Sequence, residues 1–285
     1  MERVGRPRMA RTPSPAAGAA EFARFAKAAF RRPAGLSVVP VRGAPVAMSW
    51  IAAGRVPVGP VILYLHGGAY FSGSAETHAG MIGRLSRLAG VEAVAPDYRL
   101  LQEAPFPAAF DDCLAAWDWL RRGRAAGAIV IAGDSAGGGL ALALLAAVLA
   151  RGERPAGVVV FSPWTDLTLS GGSLATAREV ILPVERMGEV AAEYLAGAEA
   201  RDGRASPLFA GFAGAPPVLI QVGGDEALLD DSRRMAEVLG EAAVLEVWEG
   251  CPHVWQIFDG WIPESRAALR GAARFVQTSL ASARR

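Results

Sequence analysis

The sequence predicts an α/β fold: a mostly parallel eight-stranded sheet flanked by helices, with a small helical cap. Three observations lead there. Short β-type apolar runs recur along the 285 residues. From the third run onward they are almost continuously apolar, as in strands buried on both faces of a parallel sheet. Segments of helical period separate most of them. A chain of this length with 52% hydrophobic residues can bury one substantial core. Residues 1–285 are therefore expected as a single domain with two additions, an N-terminal tail and cap helix over 1–36 and a cap insertion over 166–210.

In chain order, residues 1–15 are rich in Arg and Pro and are expected to be disordered. Residues 19–32 place Phe22, Phe25, Ala26, Ala29 and Phe30 at helical spacing, so this helix needs an apolar surface to cover. Strands are expected at 38–41, 47–51, 61–66, 91–95, 129–133, 158–162, 218–223 and 243–248. Helices are expected at 75–88, 110–121, 136–150, 231–239 and 263–280. The stretch 166–210 is too long for an ordinary connection and reads as a helical insertion over the site. In a doubly wound sheet, ligands collect outside the carboxyl ends of the strands.

Charge and composition exclude several classes. A formal net charge of +1 offers no attraction for nucleic acid or an anionic membrane surface. The longest apolar candidate, 137–150, is too short to span a membrane. Arg3, Arg6, Arg8 and Arg11 could open a signal peptide, but Pro7, Pro13 and Pro15 interrupt them and no apolar stretch follows. Cys113 and Cys251 are too few for a disulfide framework, and no metal-ligand spacing occurs. The expectation is a cytoplasmic protein without metal or cofactor, acting on a small, roughly neutral molecule. A homodimer is compatible with the sequence.

The chemistry is concentrated at three strand ends. The run 129–133 leads through Gly133-Asp134-Ser135-Ala136-Gly137 into a helix. Strand, Gly-x-Ser-x-Gly and helix together describe a strained turn that exposes a serine hydroxyl at a helix N-terminus, where developing negative charge is favoured. A serine needs a base. Of His66, His78 and His253, only His253 follows Ser135, as the order Ser, acid, His requires in this arrangement. Asp225, just past the strand at 218–223, is the expected acid in preference to Asp166. Glu226, Asp230 and Asp231 read as solvated or helix-capping residues. Tyr64-Leu-His-Gly-Gly-Ala-Tyr70 ends a strand with two glycines. The N–H groups of Gly67, Gly68 and Ala136 are the expected oxyanion donors. Tyr70, Phe71, Trp164 and Trp255 could line the substrate pocket.

These motifs resemble the hormone-sensitive-lipase-like branch of α/β-hydrolases, the bacterial esterases of family IV. The resemblance spans 61–258 and rests on His66-Gly-Gly-Ala-Tyr70, Asp97-Tyr-Arg-Leu100 with Pro105-Phe-Pro107, Gly133 to Gly137, Asp225-Glu-Ala-Leu-Leu-Asp230 and His253. It implies a cofactor-free carboxylester hydrolase with a cap made from the N-terminal segment and an insertion after the sixth strand. Ala69 stands where many members carry a third glycine, and Leu101-Gln102 replaces the usual Ala-Pro. The short cap pieces point to short and medium acyl groups. A lactone hydrolase similar to the monoterpene ε-lactone enzymes is an alternative, suggested by His253-Val-Trp-Gln256. A non-catalytic receptor resembling the plant gibberellin receptors is another, and His253 argues against it.

Overall fold

The computed structural model describes residues 14–284, so the tail expected over 1–15 lies almost wholly outside the described residues. Eight strands are present: β1 (Leu36–Pro40), β2 (Met48–Ala53), β3 (Val61–Leu65), β4 (Glu92–Pro96), β5 (Ile129–Asp134), β6 (Gly157–Phe161), β7 (Val218–Gly223) and β8 (Ala243–Trp248). The α-helices of the described residues are α1 (Pro15–Ala29), α2 (Ala75–Ala89), α3 (Ala108–Arg121), α4 (Ser135–Ala150), α5 (Ser173–Thr176), α6 (Met187–Leu195), α7 (Leu229–Leu239) and α8 (Pro263–Ala283). Helix α1 begins four residues before the expected 19 because Ser14 caps it, its Oγ accepting the Ala17 N–H at 3.2 Å.

The strands form one sheet in the order β1-β2-β4-β3-β5-β6-β7-β8. Strand β2 runs antiparallel to β1 and β4, and the remaining neighbours are parallel. The strand order reverses at β3, which has β4 on one side and β5 on the other. This reversal opens a crevice beyond the carboxyl ends of β3 and β5.

Every residue of β3, β5, β6 and β7 is buried, and alternate side chains serve two different cores. Val61, Leu63 and Leu65 join Trp117 of α3 and Leu140 and Leu144 of α4 on one face. Ile62 and Tyr64 join Ile82 of α2 and Leu269 and Val276 of α8 on the other. Period-2 geometry thus turns continuous apolar runs into two-sided strands. At the two sheet edges, β1 and β8 have only exposed and intermediate positions.

Helix α1 finds its apolar partner here. Phe25 and Phe30 pack edge-on to Phe258 with centroids 6.4 and 5.5 Å apart, five residues beyond His253. Residues 166–210 carry α5 and α6 and are tied to α7. Thr165 and Asp166 donate backbone N–H bonds to Asp231 Oδ2 at 2.7 and 3.0 Å. Arg234 pairs with Asp166 at 2.9 Å. Burial pushes the Asp231 carboxyl up to about 7, against the pull of these donors. Among the described residues no helix is long and apolar enough to cross a membrane.

The tightest packing lies at the crevice. A Cβ at Gly137 would collide with the Leu65 and His66 carbonyl oxygens, and one at Gly133 with those of Gly137 and Leu65. Gly137→Ala should therefore lower the unfolding free energy by about 1–3 kcal/mol, as overpacking does. An unchanged urea midpoint would show that α4 is free to move away from β3.

Candidate active site

Ser135 is the first residue of α4 and has φ +53°. A non-glycine residue there is held against its backbone preference at a cost of about 1–3 kcal/mol. Ala69, Tyr70, Ser162 and Val254 also have φ between +46° and +63°, as do Leu169 and Ala196 in the 166–210 stretch. Val254 is β-branched and pays most for it. Ser135, Ala69, Tyr70, Ser162 and Val254 follow the ends of β5, β3, β6 and β8, which surround one point.

His253 reaches that point from the segment between β8 and α8. Its Nε2 lies 2.9 Å from Ser135 Oγ, and its Nδ1 lies 3.3 Å from Glu226 Oε2. Glu226 Oε2 also accepts the Ser162 hydroxyl at 2.9 Å, while Ser162 Oγ accepts the Val254 N–H at 3.2 Å. Ser162 thus fixes the carboxylate and the peptide next to the imidazole together.

The expectation for Asp225 is corrected here. Asp225 is exposed, whereas Glu226 is buried and turned to the imidazole. Strand β7 ends at Gly223, and the turn that follows leaves Asp225 outward and Glu226 inward. The longer glutamate spans the remaining gap. Asp166, the other acid weighed from the sequence, is taken up by Thr168, Ser170 and Arg234.

Electrostatics follow burial and pairing. Burial is the largest influence on His253 and lowers its pKa. The hydrogen bond and charge of Glu226, with Glu179 and Asp134 further off, outweigh it and leave the pKa raised. Burial raises the Glu226 carboxyl despite its bond to His253. His66 is held near 3 by burial and by the neighbouring His78, so it is neutral and structural. Its ring stacks on Tyr98 at 4.3 Å.

Of the three N–H groups expected as oxyanion donors, one is already bonded. Gly67 N–H donates to Asp134 Oδ1 at 3.1 Å and is therefore spent. The N–H groups of Gly68, Ala69 and Ala136 have no acceptor among the described residues, and Gly68 takes φ +126°, which favours glycine. Ala69 therefore offers an unclaimed N–H where Gly67 does not. Asp134 also accepts the Tyr64 hydroxyl at 2.8 Å and faces His78 Nε2 at 3.4 Å. The bonds and charge of His78 and Tyr64 hold its carboxyl below the usual range even though burial, the largest influence, opposes them.

Tyr70 and Trp164 adjoin the nucleophile. The Trp164 backbone N–H donates to the Ser135 carbonyl at 2.9 Å, and the Trp164 ring centroid lies 5.8 Å from that of Tyr70. Tyr70 stacks on Tyr194 of α6 at 3.8 Å, and Phe106 meets Tyr194 edge-on at 5.8 Å. Phe71 is half-buried beside them in sequence, its carbonyl bonded to Gln102 at 2.6 Å. Trp255 does not join this group. It is fully buried in a separate cluster with Cys251, Ala268 and Trp248, so it supports the segment behind His253 rather than a pocket wall.

Parallel strands with a strained serine at the switch point, an imidazole in contact and a carboxylate behind it define a serine-hydrolase scaffold. A family profile described as the alpha/beta hydrolase fold matches residues 62–257. An acetyl-hydrolase of Streptomyces hygroscopicus is 40% identical over 237 residues, covering 81% of this chain and 79% of that one. An esterase of Acinetobacter venetianus is 36% identical over 228 residues, covering 77% and 75%. The crystal structure of an esterase from the bacterial hormone-sensitive lipase family superposes with a TM-score of 0.91 at 37% identity, covering 96% and 95%. The chain belongs to the α/β-hydrolase family, and within it to the hormone-sensitive-lipase-like esterases.

Asp134 joins the β3 and β5 ends through three buried partners. Asp134→Asn keeps the volume but replaces an acceptor with a donor. It should cost about 1–3 kcal/mol, the penalty for a buried unsatisfied group. Denaturation of the purified variant checks this, and a wild-type stability would remove Asp134 as the link.

Proposed function

We propose that this chain hydrolyses carboxylic esters of short-to-medium acyl length, with Ser135 as nucleophile, His253 as general base and Glu226 as the carboxylate that orients it. The observation that carries the reading is the unbroken line of contacts from Ser135 Oγ through His253 to Glu226, 2.9 and 3.3 Å long. The esterase names of the relatives agree with it.

As Ser135 Oγ attacks the ester carbonyl, His253 Nε2 accepts its proton and the imidazolium is stabilised by Glu226. The tetrahedral oxyanion is met by the N–H groups of Gly68, Ala69 and Ala136, each such donor being worth about 3–4 kcal/mol. Collapse breaks the bond to the leaving alkoxide, which takes the proton from His253. Water, deprotonated by the same imidazole, then releases the acid from the acyl-enzyme.

The N-terminal helix and the 166–210 insertion act as the cap in this reading. The stacked Tyr70 and Tyr194, with Trp164 and Phe106, favour a compact apolar acyl site. The hydrogen bonds that tether the insertion to α7 speak against a lid that opens on a lipid surface.

Ser135→Ala and His253→Ala should each lower kcat at least about a thousandfold. Glu226→Gln should be severely impaired, while Asp225→Asn stays within a few-fold of wild type. Steady-state kinetics decide this, and the reverse order for the two acids would return the role to Asp225. Along a p-nitrophenyl ester series, kcat/KM should peak at roughly C4 to C8, because each unburied CH₂ forfeits about 0.8 kcal/mol. A maximum at long chains, or activation by emulsified substrate, would identify a lipase instead.

A further inference from the structure

The turn that presents Glu226 is gripped by the insertion at both backbone groups of one residue, Ala227. Glu179, between α5 and α6, is buried, and its Oε2 accepts the Ala227 N–H at 3.0 Å. Ser173 Oγ–H donates to the Ala227 carbonyl at 2.7 Å. Glu179 Oε1 in turn accepts the N–H groups of Ile181 and Leu182 at 2.6 and 3.0 Å, which locks the glutamate into its own loop. Glu226 needs this support because its Oε1 is buried without a hydrogen-bond partner among the described residues, leaving Oε2 to hold both His253 and Ser162.

We propose that Glu179 is a positioning residue for the reaction, which fixes the Glu226 turn through the backbone of Ala227 and adds a further buried carboxylate near His253. The proposal rests on the Ser135, His253, Glu226 reading above. It makes the insertion part of the catalytic apparatus as well as a cover for the substrate.

The groups that face His253 are Glu226 from the turn after β7, Glu179 from the insertion and Asp134 from β5. Cys251, on the same segment as His253, faces Glu226, and burial, then Glu264 and Glu226, push its thiol up to about 11, so it stays neutral. Asp134 in turn faces His78 and His66. Glu226 and Asp134 come from the ends of sheet strands, whereas Glu179 is contributed by the insertion. A base must be unprotonated, and these carboxylates favour the protonated imidazole. The rising limb of activity therefore lies above the ordinary histidine value of about 6.5, and removing the Glu179 charge should move it down.

The test is the pH dependence of kcat/KM on p-nitrophenyl butyrate for wild type, Glu179→Gln and Glu179→Asp, with a thermal melt of each. For Glu179→Gln we expect the midpoint of the rising limb to fall by about half a pH unit and kcat to fall roughly tenfold, with KM within a few-fold. Glu179→Asp keeps the charge but shortens the reach to Ala227, so it should keep the wild-type midpoint while losing part of kcat. Should Glu179→Gln not accumulate as folded protein, Glu179→Ala is measured in its place and should give the same downward shift. A lowered melting temperature with the midpoint and kcat unchanged would reduce Glu179 to a brace and overturn the proposal. That failure is distinct from failure of the underlying reading, in which Ser135→Ala or His253→Ala would keep turnover.

Discussion

Asp134 binds together the two turns from which the site is built. One carboxylate oxygen accepts both Tyr64 OH in β3 and the Gly67 N–H beyond it, and the other faces His78 of α2. This draws the end of β3 against the β5–α4 turn so closely that Gly133 and Gly137 have no room for a Cβ. Ser135, held between those glycines, is forced to positive φ and its hydroxyl points into the crevice toward His253. The same bond consumes the Gly67 N–H and leaves those of Gly68 and Ala69 unclaimed.

Strain of this kind persists where surrounding structure over-determines it. Here the surroundings are two apolar cores, one on each face of the sheet, that fix the strand ends. Ser162 and Val254 share the left-handed conformation with Ser135, and a hydrogen bond joins them. The stability of the cores therefore sustains an arrangement that the local backbone alone would not adopt.

Burial also governs the electrostatics. A carboxylate taken out of water is costly unless it is paired, and Glu226 lies buried with one oxygen holding both His253 and Ser162. Desolvation strengthens the interaction between Glu226 and the imidazole. The insertion shares in this region through Glu179 and Ser173, and α6 supplies Tyr194 to the aromatic group near Ser135. The outer layer of the molecule and the surroundings of Ser135 and His253 are thus built from common contacts.

The sequence by itself determined the parallel strands, the helices between them and the placement of Ser135 and His253 at strand ends, because period, turn chemistry and motif order are local properties. The ends of elements shifted by a few residues where a cap such as Ser14 extended a helix. Tertiary structure decided what depends on direction. Asp225 and Glu226 are adjacent acids after the same strand, and the path of the chain beyond Gly223 turns one to solvent and the other to His253. Gly67 and Ala69 both offer an N–H, and the proximity of Asp134 consumes the first. Trp255 follows His253 by two residues, yet the left-handed Val254 between them lets its side chain join the cluster behind the site. Glu179 carried no local signal, since its partner Ala227 is 48 residues away and the two meet through the folding of the insertion against the sheet.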